Sequence, residues 1–249
     1  MTICLKRNTF RCYKSNCRLE ISIKKNSFFD GLNLPCSKVM KIGWFWANGV
    51  SFDCLVRLTG HSRNTLTNLV AYFRQLVAST LDIEDTAIGG PGIIVELDES
   101  KMGKRKYHRG HRVEGAWVLG GIERTTEKKI FLVQVPNRSG ETLLSIINDH
   151  VLPGSIIYSD MWKGYDKIEE FLGFEHKVVN HTENFKDPIT GVHTNTIEGL
   201  WNGIKMKVSP RNRNKSIIDI HLMEYIWRKQ NKNRLWEAFL EALAEIHYD

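Results

Sequence analysis

A chain of 249 residues, 42% of them hydrophobic, can build one large core or a core with small appendages. It has no run of about 18 uncharged apolar residues, which excludes a membrane-spanning helix, and its opening MTICLKRNTFRCYK is too charged for a secretory signal. The net charge of +7 sits in residues 1–60, which hold 10 Lys/Arg against 3 Asp/Glu and leave 25 of each sign elsewhere.

A cationic front on a balanced body suits a nucleic-acid backbone, although a solvated basic face would look the same. An intracellular protein is expected, nuclear in a eukaryote or cytoplasmic in a bacterium. All five cysteines, Cys4, Cys12, Cys17, Cys36 and Cys54, fall in the first 54 residues. Their odd number and the lack of a secretory signal argue against a disulfide framework. Cys12 and Cys17 form a C-x4-C pair, half of a zinc site, with only Cys4 upstream to extend it. Cys36 and Cys54 lie in helical context and are expected in the core.

The segment 10–29 alternates basic and apolar residues (RLEISIKKNSFF) and predicts short strands or a hairpin. SKVMKIGWFWA over 37–47 predicts a helix with a broad apolar face, broken at Gly49. Ser51 caps a second helix through Leu58, ended by Gly60. Ser62 caps a third running to about Ser79, with Leu66, Leu69, Val70, Phe73 and Leu76 at helical spacing. Two helices across a glycine turn, the second opening on Arg63, Asn64 and Thr65, resemble a helix-turn-helix DNA-binding domain over 36–80. Any small helical bundle would show the same pattern. The stretch 81–92 ends in GGPG and reads as a linker.

The grammar then changes. IIVEL over 93–97 is a buried-strand signal with Asp98 at its C-terminal end. Strands are predicted over 116–122 and 130–135, then a helix capped by Ser139, then a strand over 155–158 that delivers Asp160 just past its end. A helix near 164–172, a strand near 175–179 and helices over 195–207 and 217–246 complete the chain. Strands that first meander and then alternate with helices predict an α/β domain, a mixed sheet with helices on both faces.

Three acids stand out by placement: Asp98 in VELDES, Asp160 in IIYSDMWKGY, and Glu198 early in the helix of HTNTIEGLWNGIK. Two carboxylates at neighbouring strand ends plus one from a helix can hold two divalent ions about 4 Å apart. Oxygen-rich sites of this kind suit Mg2+ or Mn2+ and support in-line phosphoryl displacement on DNA. Singly, either aspartate reads more readily as a solvated turn residue; the two strand-end placements together with a helix-borne Glu and Lys205 carry the catalytic reading. Lys205 lies two helical turns beyond Glu198 on the same face, where it can hold a phosphate beside the ions.

With VELDES, GKRKYHRGHRVEGAWVLGGIER, YSDMWKGY, VNHTENFKDPITGVHTNTIEGLWNGIK and the Gly-Gly-Pro-Gly linker in order, the chain resembles the ISXO-like insertion-sequence transposases and their animal-genome relatives, from about Arg11 to the C-terminal region. The resemblance implies a ribonuclease-H-like catalytic domain over 93–249 with a DDE-type metal site, preceded by the helix-turn-helix and, over 1–35, by a zinc ribbon. The ribbon's upstream C-x2-C knuckle is missing, so Cys12 and Cys17 match the remaining half of a truncated one. Asp98 and Asp160 match the first two catalytic positions. The third varies in the family among acid, Asn and His, and here falls within His193, Asn195 and Glu198, with Glu198 favoured as the better magnesium ligand.

Between the first two predicted strands, KMGKRKYHRGHR holds six Lys/Arg and no acid. Lys104, Arg105, Lys106, Arg109 and Arg112 are candidate DNA-backbone contacts, Tyr107 a base-stacking candidate, and His108 and His111 phosphate contacts rather than metal ligands. Lys205, Lys207, Arg211, Arg213 and Lys215 form a second cluster that reads equally as phosphate contacts or as a solvated turn. Trp162 and Tyr165 are expected to pack the following helix, while Asn180 and His181 open a polar loop facing substrate. Trp227, Leu235, Trp236, Phe239 and Leu243 read as core. The sequence therefore predicts a transposase that cleaves and joins double-stranded DNA, transposon ends and target, as a homodimer. A domesticated DNA-binding protein that keeps the fold without the chemistry is the alternative, and a nuclease for branched DNA a further one.

Overall fold

Serine caps start three of the helices. Ser51, Ser62 and Ser139 accept hydrogen bonds from the N–H groups of Cys54, Thr65 and Thr142 at 3.4, 3.1 and 3.3 Å, satisfying donors that a helix start leaves over. The structure, a computed structural model, describes residues 1–4, 6–82, 84–103, 115–179 and 193–245. They fall into two units, Met1–Thr80 with Asn233–Asp249, and Leu81–Lys232.

The first unit opens with a three-stranded antiparallel sheet of β1 (Thr2–Cys4), β2 (Thr9–Arg11) and β3 (Glu20–Ser22). Helices α1 (Cys36–Ala47), α2 (Phe52–Thr59) and α3 (Arg63–Ala78) follow. Gly60 ends α2 at a φ of +69°, which lets its N–H close on the carbonyl of Val56. Phe73 centres an aromatic core, with Phe28 at 5.7 Å, Trp46 at 5.5 Å and Phe239 at 5.1 Å between ring centroids. Phe239 comes from the last helix, Leu235–Glu245. The single helix expected over 217–246 is thus two helices. The second buries Ala238, Phe239 and Ala242 in this unit, so the domain expected over 93–249 gives up its last residues from Asn233 onward. Cys36 and Cys54, expected in the core, are only half-buried, because the apolar faces of α1 and α2 turn other residues inward.

In the second unit, β4 (Ile88–Gly89) leads into β5 (Ile94–Lys101), β6 (Trp117–Glu123) and β7 (Ile130–Val135). Then come α4 (Gly140–His150), β8 (Val151–Leu152), β9 (Ile156–Asp160), a short 3-10 turn at Lys163–Tyr165, α5 (Ile168–Leu172) and β10 (Glu175–Val179). Helices α6 (Asn195–Lys207) and α7 (Ile218–Gln230) close the unit, and the last helix is α8. The sheet order is β10-β9-β5-β6-β7, with β6 antiparallel to both neighbours and β5, β9 and β10 parallel.

Helices cover both faces. Ile197, Trp201 and Ile204 of α6 and Leu222 of α7 pack on Val118 and Leu132, while Leu143 and Ile147 of α4 pack on the other face with Leu97 and Ile157. The mixed sheet between helices agrees with the ribonuclease-H-like expectation. Two local expectations change. The stretch expected as a linker is built in: β4 pairs with β8, Ile88 is buried, and Gly90 N–H donates to Ser155 Oγ at 2.8 Å. And β5 continues through Asp98 to Lys101 because β6 pairs with it along that whole length.

Candidate functional site

Strand register brings two of the candidate acids together. In the parallel β5–β9 pair, Ile94 stands opposite Ile156, Val95 opposite Ile157 and Glu96 opposite Tyr158. Continued one pleat further, the same register sets Asp98 beside Asp160, just past the end of the parallel ladder. Side chains alternate along strands, so Glu96, Asp98, Tyr158 and Asp160 share the face that α6 covers. Asp98 lies within its strand rather than at its end, yet at the end of the parallel pairing.

Trp201 of α6 holds Asp98 in place, its Nε1 donating to Oδ2 at 2.8 Å. Gly120, opposite Asp98 in β6, makes room for that indole: a Cβ there would fall 2.7 Å from Trp201 Cη2. Glu198 precedes Trp201 by one turn and is exposed. Burial above all pushes the Asp98 carboxyl up from 3.8 to about 6; the Trp201 N–H opposes the rise, and the charges of Asp160 and Glu198 add to it. Asp160 Oδ1 accepts the N–H of Trp162 at 3.0 Å, which turns the chain as it leaves β9. Lys205 is half-buried on α6. Among the described residues no three His, Cys, Asp or Glu side chains stand close enough to ligate one metal ion as they are. The donor atoms that Asp98, Asp160 and Glu198 offer are all carboxylate oxygens, which suit a hard divalent cation.

Glu96 escaped the sequence reading. It is fully buried, pairs with Arg124 Nε at 2.5 Å, and accepts the N–H groups of Thr196 and Ile197 at 2.9 and 3.0 Å. A carboxylate on the sheet thus caps α6, where Thr194 makes no side-chain cap. Arg124 also stacks on Tyr158 at 4.8 Å and donates to His193 at Nδ1 and the carbonyl oxygen, 2.8 and 2.6 Å. His193 is therefore committed to the start of α6 through Nδ1, while Asn195 is exposed in the first turn. The available signal was a charged residue inside an apolar strand, which is rare without a buried partner.

On the opposite face of β5, burial chiefly, then the charges of Asp98 and Asp160, pushes the Glu99 carboxyl up to about 7. Its Oε1 and Tyr165 Oη are buried near one another but outside hydrogen-bond geometry. Tyr165 is a core residue as expected; Trp162 instead is exposed beside Asp160.

The remaining candidates separate. Asn64 is exposed at the start of α3, Arg63 is exposed and paired with Asp53 at 2.5 Å, and Thr65 is half-buried with its N–H spent on the Ser62 cap. Arg213 caps α6, donating from Nε to Val208 O at 2.8 Å and from Nη2 to Lys205 O, so it holds structure; Lys207, Arg211 and Lys215 are exposed. Cys12 and Cys17 meet across the β2–β3 turn, where the Lys14 N–H first and then Cys17 lower the Cys12 thiol. Lys104, Arg105, Lys106, Tyr107, His108, Arg109, His111, Arg112, Asn180 and His181 lie outside the described residues. Trp227 and Phe239 are buried as expected, and Leu235, Trp236 and Leu243 half-buried.

Comparison with known proteins matches residues 77–229 to the ISXO2-like transposase domain. The chain is also 34% identical over 104 residues to an uncharacterized transposase-like protein of Haemophilus influenzae, covering 41% of this chain and 82% of that relative. The family match runs through the sheet that carries the candidate acids, and the chain belongs to the family of ISXO2-like transposase domains.

Proposed function

We propose that the protein is a DNA transposase that cleaves DNA at element ends and joins the freed 3′-hydroxyl to target DNA. The observation that supports this is the register of the parallel β5–β9 pair, which carries Asp98 towards Asp160 on one face, with the charges of Asp160 and of Glu198 on α6 both acting on Asp98. Asp98, Asp160 and Glu198 are assigned as ligands for two Mg2+ or Mn2+ ions, which when bound would activate the attacking oxygen and neutralise the leaving one. Glu198 is preferred to His193, whose Nδ1 is occupied by Arg124, and to Asn195, which is the weaker donor for a hard cation.

The chain's own groups then do positioning and charge work. Trp201 orients Asp98, Glu96 fixes the start of the helix that bears Glu198, and Lys205 holds a phosphate on the same helix face. Arg63, Asn64 and Thr65 read terminal DNA from the start of α3, and Lys104, Arg105, Lys106, Arg109 and Arg112 supply charge for backbone. A homodimer on double-stranded DNA, inside the cell, completes the proposal, with zinc at Cys12 and Cys17 a separate, structural role.

The second reading, a DNA-binding protein without chemistry, is favoured by one observation: the three acids are not yet in ligating geometry. Incubation with Mg2+ and terminal-repeat duplexes tests both. The transposase reading expects nicking and strand transfer lost in D98N, D160N and E198Q and retained in N195A; metal-independent binding with no nicking by wild type decides for the second reading.

A further inference from the structure

We propose that Arg138, held between the indoles of Trp117 and Trp162, is a binding site for a backbone phosphate of DNA at the sheet edge that carries Asp160. The inference rests on the DNA-processing reading above. The guanidinium carbon lies 4.0 Å from the ring centre of Trp117 and 4.2 Å from that of Trp162. The sandwich is assembled from three separate places: Trp117 opens β6, Arg138 follows β7, and Trp162 follows β9. All three lie at the edge where β5 and β9 end. Trp162 Nε1 donates to the carbonyl of Arg138 at 3.4 Å, so the second indole is tied to the residue it covers.

Stacking occupies both faces of a guanidinium and leaves its rim of five coplanar N–H donors for another partner. Among the described residues no acceptor takes a hydrogen bond from that rim and no carboxylate forms an ion pair with it. Glu99 feels the Arg138 charge without pairing to it. A planar, oriented, charged fork matches two non-bridging oxygens of a phosphodiester. Lys101 adds a second cation, 5.4 Å from the centre of the Trp117 ring.

The position favours DNA over a free anion. Asp160 takes the N–H of Trp162, so the indole covering Arg138 is attached to the candidate metal-binding acid. A phosphate held there would lie along the strand entering that acid. Because the guanidinium already fills the indole faces between which a base would slot, the contact is to backbone and carries no sequence preference.

The test is duplex binding by the full chain in EDTA, which silences the chemistry, read by anisotropy on a labelled arbitrary duplex of roughly 30 base pairs over a salt series. In R138Q the log–log slope of affinity on salt should become shallower by about 0.9, one phosphate contact, and affinity should drop roughly tenfold. R138K should keep the slope and lose affinity severalfold, because charge survives and the fork does not. Wild-type slope and affinity in R138Q would overturn the assignment and leave the sandwich as a structural pin. Should circular dichroism show that R138Q does not fold, W162A carries the test: uncovering one guanidinium face is expected to weaken binding at unchanged slope, and unchanged affinity would overturn the assignment. Wild-type protein that binds no duplex would instead sink the DNA reading itself, and this inference with it.

Discussion

Replacing Glu96 by Gln removes a charge from beneath α6 while keeping its size and one carbonyl acceptor. Glu96 is 0% exposed and serves three donors: Arg124 Nε at 2.5 Å and the N–H groups of Thr196 and Ile197 at 2.9 and 3.0 Å. Breaking a buried ion pair costs about 3–5 kcal/mol. Arg124 is 21% exposed and keeps His193 as acceptor, so its charge is not stranded. The cost of E96Q should therefore be about 2–3 kcal/mol, and that of E96A, which strands the helix donors as well, about 4 kcal/mol. With a urea slope of about 2 kcal/mol/M, E96Q should lower the unfolding midpoint by about 1 M at unchanged slope. Because Glu198 rides on the same helix, Mg2+ affinity by calorimetry should fall about tenfold, as for loss of an outer partner of a metal ligand. A wild-type midpoint together with wild-type Mg2+ affinity would refute the capping role.

Asp98→Asn and Asp160→Asn should each reduce Mg2+-dependent strand cleavage by more than about a hundredfold, beyond what losing an outer partner costs; residual cleavage within tenfold of wild type counts against the metal assignment. The folded protein holds the protons of Asp98 and Glu99 more tightly than the unfolded chain, since both carboxyls are pushed up, to about 6 and about 7. Metal-free stability should therefore fall as pH rises from about 4 to about 7, and the rise at Asp98 alone corresponds to about 3 kcal/mol. Thermal unfolding in EDTA should show that fall in wild type and a shallower one in D98N; a pH-independent midpoint in wild type contradicts it. Trp201→Phe removes the donor that lowers the Asp98 carboxyl, so the acid limb of the pH–rate profile should move to higher pH, and an unmoved limb assigns that limb to another group. Gly120→Ala would place a Cβ 2.7 Å from Trp201 Cη2, costing about 1–3 kcal/mol in denaturant unfolding, and a neutral result would show that the indole is free to move aside.

Much of the candidate site was legible because it interrupts local patterns. Asp98 and Asp160 follow apolar runs, Ser51, Ser62 and Ser139 precede helical periodicity, and α6 ran over the expected residues. The extent of β5 was not legible, since DESK is too polar to read as strand and is held there by pairing with β6. Glu96 looked like one acid among three in VELDES; its partners lie 28, 100 and 101 residues away. The closing segment read as one helix because both halves carry apolar stripes, and nothing local says that the second stripe is buried with Phe73 and Trp46.

By itself the sequence determined the alternation of strands and helices, the three acids and their order, because hydrophobic period and capping chemistry act over a few residues. Only the tertiary structure decided which groups meet: that Asp98 lies near enough to Asp160 to feel its charge, that Glu96 is a helix cap, and that Arg138 lies between two indoles. Those contacts depend on strand register and helix docking, and a shift of one residue in the register of β5 would turn Glu96 and Asp98 to the other face of the sheet.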